Sequence, residues 1–264
     1  MPTANLQDIL MITFDALRYD VAVQAWERWQ TPYLRGLIPA GWEQRHSPGN
    51  FTFAAHAAYF AGFWPTPLQP GKDRRPFTLQ FPGMRPTLAE TMVLHGPHII
   101  EGLRRVDYQT ICIGGVGFFN PSTPLGSLFP SYFEQSYWQP EFSVTNYSST
   151  AAQVRMACQT LESADRERPV MLFLNVSATH APTVDYVAGA KAESCDTQAA
   201  ALAYVDRCLP ALFAAIQKRK RVGVAYLMSD HGTLFGEDGW VGHRVSHPLV
   251  WNIPYTEYHW EPQS

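Results

Sequence analysis

The chain has 264 residues and lacks the paired cysteines, long apolar runs and strong net charge that distinguish other classes from ordinary globular proteins. Its four cysteines form no CxxC pair and no secretory signal precedes them, so we expect reduced thiols and a cytoplasmic protein. No apolar run reaches the roughly 18 residues that a membrane span needs. A formal net charge of -3 gives no general attraction to nucleic acid or to an anionic membrane. We therefore expect neither a nucleic-acid platform nor a membrane protein.

Repeats and low-complexity tracts are also missing, which excludes solenoid architectures. Hydrophobic residues make up 46% of the chain and charged residues 16%, as in an ordinary folded core. The length suits one large domain, which we expect over residues 1–264. The basic run KRKR at 218–221 is the local exception, and we place it at the end of a helix, where positive charge suits the helix dipole.

Apolar runs of strand length alternate with segments of helical spacing. The predicted buried strands are 9–15, 108–115, 169–177 and 222–230. The predicted helices are 21–30, 85–105 with a break at Gly96-Pro97, 148–164, and 197–221 with an irregularity at Pro210. Segments 65–86 and 118–149 are predicted to be long loops of functional interest. The alternation predicts an α/β fold with a mainly parallel sheet flanked by helices on both faces.

Polar side chains follow three of these strands. Asp15 ends the first, Asp230 and His231 end the last, and His180 comes three residues after the third. Because ligands gather at the carboxyl ends of parallel strands, we expect these side chains at one edge of the sheet. Two buried carboxylates repel each other, so a cation is the economical explanation. Asp and His together suit zinc or manganese.

Each of these residues also has a structural explanation. Asp15 could cap a helix or pair with Arg18, and Asp230-His231-Gly232 could be a polar turn. The joint placement at one edge favours the metal.

The stretch NFTFAAHAAYFAG, residues 50–62, leaves two explanations open at this point. Thr52 is a preferred helix N-cap residue, and His56 would then be a satisfied core histidine. The alternative is that both residues belong to the predicted site.

Five motifs resemble, in order and spacing, the alkaline phosphatase-like superfamily. They are FDALRYDV, TPYL, TFAAHAAYFAG, SATHAP and SDHGTLFGEDGWVGHR. The nearest branches are the type I phosphodiesterases/nucleotide pyrophosphatases and the sulfatase-like hydrolases. The resemblance implies that one metal ion is bound by Asp15, Thr52, Asp230 and His231. It also makes Thr52 the nucleophile that forms a phospho-threonine intermediate. His56, one helical turn on, would contact the leaving group or the ester oxygens.

Departures from the family pattern refine this expectation. Sulfatases carry cysteine or serine where this chain has Thr52, so sulfate-ester hydrolysis is not expected. Two-metal phosphodiesterases carry an aspartate where this chain has Val176, which leaves a second metal site incomplete. His180 and His243 would then hold a weaker second metal with another carboxylate, or bind substrate phosphate as in single-metal phosphoethanolamine- and phosphoglycerol-transferase relatives. His247 is a reserve for His243. We expect the C-terminal part of the domain to be reduced relative to larger members of the superfamily.

The sequence thus predicts a metal-dependent hydrolase of phosphoric esters, with one or two divalent ions, zinc or manganese. The substrate is expected to be a small-molecule or peptide phosphoester. Two alternatives remain: a sulfatase-like or phosphonate hydrolase or phosphotransferase, and a noncatalytic accessory binding protein that keeps the fold.

Overall fold

The computed structural model describes residues 6–62, 77–79, 92–94 and 98–262, with backbone only for the two short segments. Its strands are β1 Asp8–Phe14, β2 Glu43–His46, β3 Phe77–Leu79, β4 Met92–Leu94, β5 Gln109–Ile113, β6 Gln135–Tyr137, β7 Val170–Val176, β8 Gly223–Ser229, β9 Leu234–Phe235, β10 Val241–Gly242 and β11 Asn252–Trp260. The helices are α1 Tyr19–Glu27, α2 Pro32–Leu37, α3 Thr52–Ala61, α4 Ile99–Arg105, α5 Ser149–Ser163, α6 Cys195–Gln217 and α7 Pro248–Trp251.

A seven-stranded sheet organises the fold, in the order β2-β11-β8-β1-β7-β5-β6. The five strands from β8 to β6 are parallel, and β11 runs antiparallel to both β8 and β2. Each of the four predicted strands forms within one or two residues of its predicted bounds, and the predicted α/β class is confirmed. The parallel order brings the carboxyl ends of β1, β7 and β8 side by side.

Alternate residues of the central strands build two separate cores. Leu10 and Ile12 of β1 face one core with helices α1, α5 and α6, whereas Ile9 and Met11 face the other. Phe60 of α3 packs in that second core together with buried aromatic residues of segment 118–149. This segment was predicted to be a loop. It instead contains the edge strand β6 and several short helical turns, because its phenylalanines cover one face of the sheet.

Helix α6 extends over 23 residues and includes Pro210. Among the described helices, only α6 is long and apolar enough to cross a membrane when length and composition alone are considered. In the fold its apolar side chains Leu202, Leu209 and Phe213 are buried in the first core. The helix ends at Gln217, just before the basic run 218–221, whereas the predicted bounds included that run.

The predicted helix 85–105 is only partly correct. The described part contains α4 at Ile99–Arg105, but Met92–Leu94 is a strand that pairs in parallel with Phe77–Leu79. Pairing between these two short segments replaces the helix there and interrupts the predicted loop 65–86. The predicted break at Gly96-Pro97 lies outside the described residues, as does most of that loop.

Candidate metal centre

Four of the predicted site residues meet at the carboxyl edge of the sheet. Asp15 follows β1, Asp230 and His231 follow β8, and Thr52 is the first residue of α3. Ligand atoms of Asp15, Asp230 and His231 all lie within 4.8 Å of one another. Thr52 Oγ1 lies 3.3 Å from His231 Nε2 and 3.4 Å from each carboxylate oxygen of Asp15.

The carboxylate of Asp15 is fully buried and is held from one side. Its Oδ2 accepts a hydrogen bond of 3.0 Å from Asn175 Nδ2. Burial, and then the charge of Asp230, raise the pKa of Asp15 to about 6. The site therefore concentrates negative charge that the described side chains do not neutralise with lysine or arginine.

Asp230 has one satisfied and one unsatisfied oxygen. Its Oδ1 accepts hydrogen bonds of 3.0 Å from the backbone N–H groups of Ala16 and His231. Its Oδ2 is buried without a hydrogen-bond partner among the described residues. Burial raises the pKa of Asp230 to about 7. A buried carboxylate oxygen with no partner is costly, so this atom is a natural ligand for a cation.

The ring of His231 is oriented for ligation. Its Nδ1 lies 2.8 Å from the carbonyl oxygen of Gly232, which can only accept, so Nδ1 carries the proton. The lone pair of Nε2 then faces Asp230 Oδ2 at 3.5 Å. Burial lowers the pKa of His231 and keeps the imidazole neutral. A Cβ at Gly232 would stand 2.0 Å from the carbonyl oxygen of Leu249, so this turn requires glycine.

This donor set fits a divalent metal ion. Two carboxylates, one neutral imidazole and a hydroxyl group lie close together. The buried Oδ2 of Asp230, which has no hydrogen-bond partner among the described residues, is available to bind a cation. Mixed oxygen and nitrogen ligands suit zinc or manganese. The cluster of Asp15, Asp230 and His231 is the one group of its kind within the described residues.

Thr52 does not cap its helix. The N-cap position is occupied by Phe51, whose backbone is extended and whose side chain makes no capping hydrogen bond. Thr52 stands at the first helical position with 2% of its surface exposed. The capping explanation is therefore wrong, and the hydroxyl is free to face Asp15 and His231.

His56 is fully buried. Its Nδ1 lies 2.8 Å from the carbonyl oxygen of Thr52, and its Nε2 lies 3.2 Å from Thr13 Oγ1. The ring packs against Phe119 and Phe173. Burial lowers the pKa of His56 to about 3. With both nitrogens occupied and no exposed surface, His56 does not meet the requirements of the predicted substrate contact. The geometry favours the other explanation, a core histidine, which here holds the first turn of α3.

His180 and His243 line one side of the centre. The ring centroid of His243 lies 4.6 Å from that of His231 and 5.5 Å from that of His180. Burial lowers the pKa of His243 to about 3, and the charges of His231, His180 and Arg244 act in the same direction. Val176 is buried in the core and supplies no carboxylate to this pair. His247, the reserve, instead caps α7 and lies 3.1 Å from Asp238.

Asn175 is a site residue that sequence reasoning missed. It is the one amide in the otherwise apolar strand VMLFLNV, and that interruption was the available signal. Its Oδ1 accepts from the backbone N–H of Val116, so its Nδ2 must face Asp15. Gly115 permits this contact, since a Cβ there would stand 2.3 Å from the carbonyl oxygen of Asn175.

Arg18 and Glu237 join the first and last motifs. The Arg18 guanidinium pairs with Glu237 and, at 2.6 Å, with Asp20. The pair fixes the loop that carries His243 to the segment after β1. The sequence placed Arg18 in a motif but gave no sign of its partner in the last one.

Comparisons with known proteins agree with this fold. The family model named Sulfatase matches residues 7–259. The C-terminal periplasmic domain of phosphoethanolamine transferase EptC from Campylobacter jejuni is similar with a TM-score of 0.64 and 12% identity, over 96% of this chain and 79% of that chain. The corresponding EptC domain from Escherichia coli, in complex with Zn, gives 0.65 and 13% over 96% and 72%.

A protein of the alkaline phosphatase superfamily from Vibrio parahaemolyticus is similar with a TM-score of 0.60 and 17% identity, over 99% of this chain and 62% of that chain. A search of curated proteins found no match. At these identities the solved structures show a common fold.

Proposed function

The chain belongs to the Sulfatase family within the alkaline phosphatase superfamily, and we propose that it cleaves phosphoric esters with a divalent metal ion and Thr52 as nucleophile. Members of this superfamily act on phosphate and sulfate esters. Threonine at position 52, instead of the cysteine or serine of sulfatases, favours the phosphate ester. The proposed substrate is a small-molecule or peptide phosphoester.

One observation carries the proposal: the hydroxyl of Thr52 faces the cluster that contains the unpartnered Asp230 Oδ2. A hydroxyl at that place does not serve as a helix cap, and it lies within 3.4 Å of two of the three ligand side chains, Asp15 and His231. It also stands at the N-terminus of α3, where the helix dipole stabilises negative charge on an attacking oxygen.

Asp15, Asp230 and His231 would hold the ion, with Thr52 beside it. A bound divalent ion lowers the pKa of the hydroxyl and neutralises charge on the phosphoryl oxygens. Thr52 Oγ1 then attacks phosphorus, a phospho-threonine ester forms, and the alcohol leaves with a proton. Attack by water on phosphorus breaks the new ester and restores Thr52. His180 and His243 can hydrogen-bond the phosphoryl group, and the low pKa of His243 leaves protonation of the leaving oxygen to His180.

The test compares Thr52→Ala with Thr52→Ser. We expect both variants to keep the fold, because position 52 makes no capping bond, but only serine keeps a hydroxyl. We expect Thr52→Ala to abolish turnover of mono- and di-aryl phosphates and Thr52→Ser to retain a measurable rate. Circular dichroism and metal content serve as controls. Full activity in folded Thr52→Ala would contradict the nucleophile, and a folded wild type that binds no zinc or manganese would contradict the metal centre.

A transferase is the second candidate, favoured by the similarity to the two EptC domains, which are named as phosphoethanolamine transferases. The same phospho-threonine ester would then pass its group to an acceptor alcohol instead of water. Release of aryl alcohol that depends on added acceptor, with a new phosphodiester in the products, would favour transfer over hydrolysis.

A further inference from the structure

Arg244 stands at the rim of the centre and is not explained by the proposed chemistry. It follows His243, with its backbone in the left-handed region at φ 70°. This region is unfavourable for a residue other than glycine, so the surroundings of Arg244 must hold its backbone there. The backbone N–H of Arg244 donates to the carbonyl oxygen of Asn50, at 2.9 Å. The loop is thereby fixed two residues before the nucleophile.

The side chain of Arg244 lies beside the start of α3. Its guanidinium carbon is 5.7 Å from the ring centroid of Phe51, the residue that precedes Thr52. Arg244 is exposed, whereas Thr52 is buried, so the guanidinium lies at the rim and the hydroxyl at the floor. Its charge acts on both His231 and His243, so it is within electrostatic reach of the centre.

Some other arginines of the described residues are neutralised by carboxylates. Arg18 pairs with Glu237, Arg168 with Glu134, and Arg219 with Asp8. Within the part of the chain that the structure describes, no carboxylate lies within ion-pair distance of Arg244. Its five N–H donors form a planar fork that matches carboxylate and phosphate groups.

We propose that Arg244 is a specificity-determining residue that binds a second anionic group of the substrate, a carboxylate or phosphate separate from the phosphoryl group that reacts. The inference rests on the proposed function and narrows its substrate class. A divalent ion and the two carboxylates of Asp15 and Asp230 balance in formal charge, so the centre itself offers nothing to a second anion. Arg244 supplies that charge at the rim.

The experiment measures binding rather than turnover. Zinc-loaded protein is titrated in a calorimeter with 2-carboxyethylphosphonate and with propylphosphonate, which differ by one carboxylate. We expect the wild type to bind the carboxylate compound about tenfold more tightly, the range of one charge-assisted hydrogen-bonded pair. Arg244→Gln should remove this preference and leave propylphosphonate binding unchanged, and Arg244→Lys should keep part of it. Arg155→Gln, an exposed arginine on α5, is the matched control.

Two outcomes would overturn the inference. The first is a wild type without the preference. The second is Arg244→Gln with the preference intact, as expected if the carboxylate reaches the metal ion instead. Turnover of aryl phosphates by the same wild-type preparation separates this result from failure of the proposed function, which would show as no turnover and no phosphonate binding.

Discussion

The two ends of β1 each bury an aspartate, and the protein treats them differently. Asp8, at the amino end, receives the guanidinium of Arg219 at 2.9 Å, Arg221 at 3.5 Å and the backbone N–H of Val170 at 2.8 Å. Asp15, at the carboxyl end, has a second carboxylate as its neighbour, and its nearest ring nitrogen, His231 Nε2, lies 3.8 Å away. Both aspartates are completely buried.

The difference separates a structural charge from a functional one. A buried carboxylate is tolerated when a cation and hydrogen bonds neutralise it, and the chain supplies both to Asp8. At the other end it supplies hydrogen bonds but no lysine or arginine partner, and it adds Asp230. Two buried carboxylates without a cationic partner lower the stability of the metal-free protein, but they are the arrangement that binds a divalent ion.

Exchanging each aspartate for asparagine tests this comparison most directly. Asp8→Asn leaves two guanidinium groups without their carboxylate, so we expect it to lower the free energy of unfolding by about 3 to 5 kcal/mol without changing metal stoichiometry. Asp15→Asn removes repulsion from Asp230, so we expect unchanged or higher stability in chelator. Urea unfolding and metal analysis measure both.

Asp15→Asn should also lose the tightly held metal. Its turnover of aryl phosphates should fall by about a hundredfold to a thousandfold. A variant that still binds metal with wild-type affinity would remove Asp15 from the centre. An Asp8→Asn protein as stable as the wild type would show that the two ends do not differ.

Much of this arrangement could be predicted from the sequence because it follows from strand ends. An apolar run closed by Asp15, and another closed by Asp230 and His231, fix the edge where these residues meet. Asn175 and Arg244 could not be found in this way. Asn175 acts through a neighbouring strand, and Arg244 through a turn held by Asn50, so both depend on contacts between segments far apart in the chain.

The misjudged elements have a related cause. The aromatic residues of segment 118–149 lack the period of a strand or helix, yet they cover a face of the sheet. His56 shares a helix face with Thr52, as predicted, but the surrounding phenylalanines that bury it come from distant segments such as Phe119 and Phe173.

Substitution of His180 and His243 tests whether these histidines act on the substrate or bind a second metal ion. Without a carboxylate at Val176 they are a thin shell for a second ion, so we expect alanine at either position to lower turnover by about a hundredfold, the lower range of general acid–base contributions. Metal content should stay at one ion per chain. A wild-type content of two ions that falls to one in either variant would assign these histidines to a second metal.

Asn175→Ala tests how the chain orients Asp15. The amide holds Asp15 Oδ2 at 3.0 Å, and loss of such an outer contact weakens metal binding about 10-fold to 100-fold. Thr179→Val is the matched control, because its hydroxyl donates at 2.8 Å to the backbone oxygen of Asp15 rather than to the carboxylate. Competition with a chelator gives both affinities. Equal losses in the two variants would mean that Asn175 acts through general packing.

The smallest expected effect is the change of the free energy of unfolding with pH, measured in chelator, and the sign of this change can be derived from the pKa shifts. The pKa of Asp230 is raised by burial to about 7, above its unfolded value near 4, so its contribution is complete below pH 4 and is lost as the pH rises to 7. His56 and His243, whose pKa values burial lowers, act in the opposite direction below pH 6.5, so the wild-type curve mixes both signs. Asp230→Asn removes this titration, because an amide does not titrate, and with it the part of the Asp15 pKa shift that the charge of Asp230 causes. We expect the variant to gain stability relative to the wild type as the pH rises from 4 to 8, by about 1.4 kcal/mol for each pKa unit of the shift.

Zinc at pH 8 should reverse the order of stability of the two proteins, since only the wild type gains binding energy from the ion. Urea titrations give the free energy of unfolding of both proteins. If the difference between them stayed constant from pH 4 to pH 8, the pKa of Asp230 would not be raised in the metal-free protein.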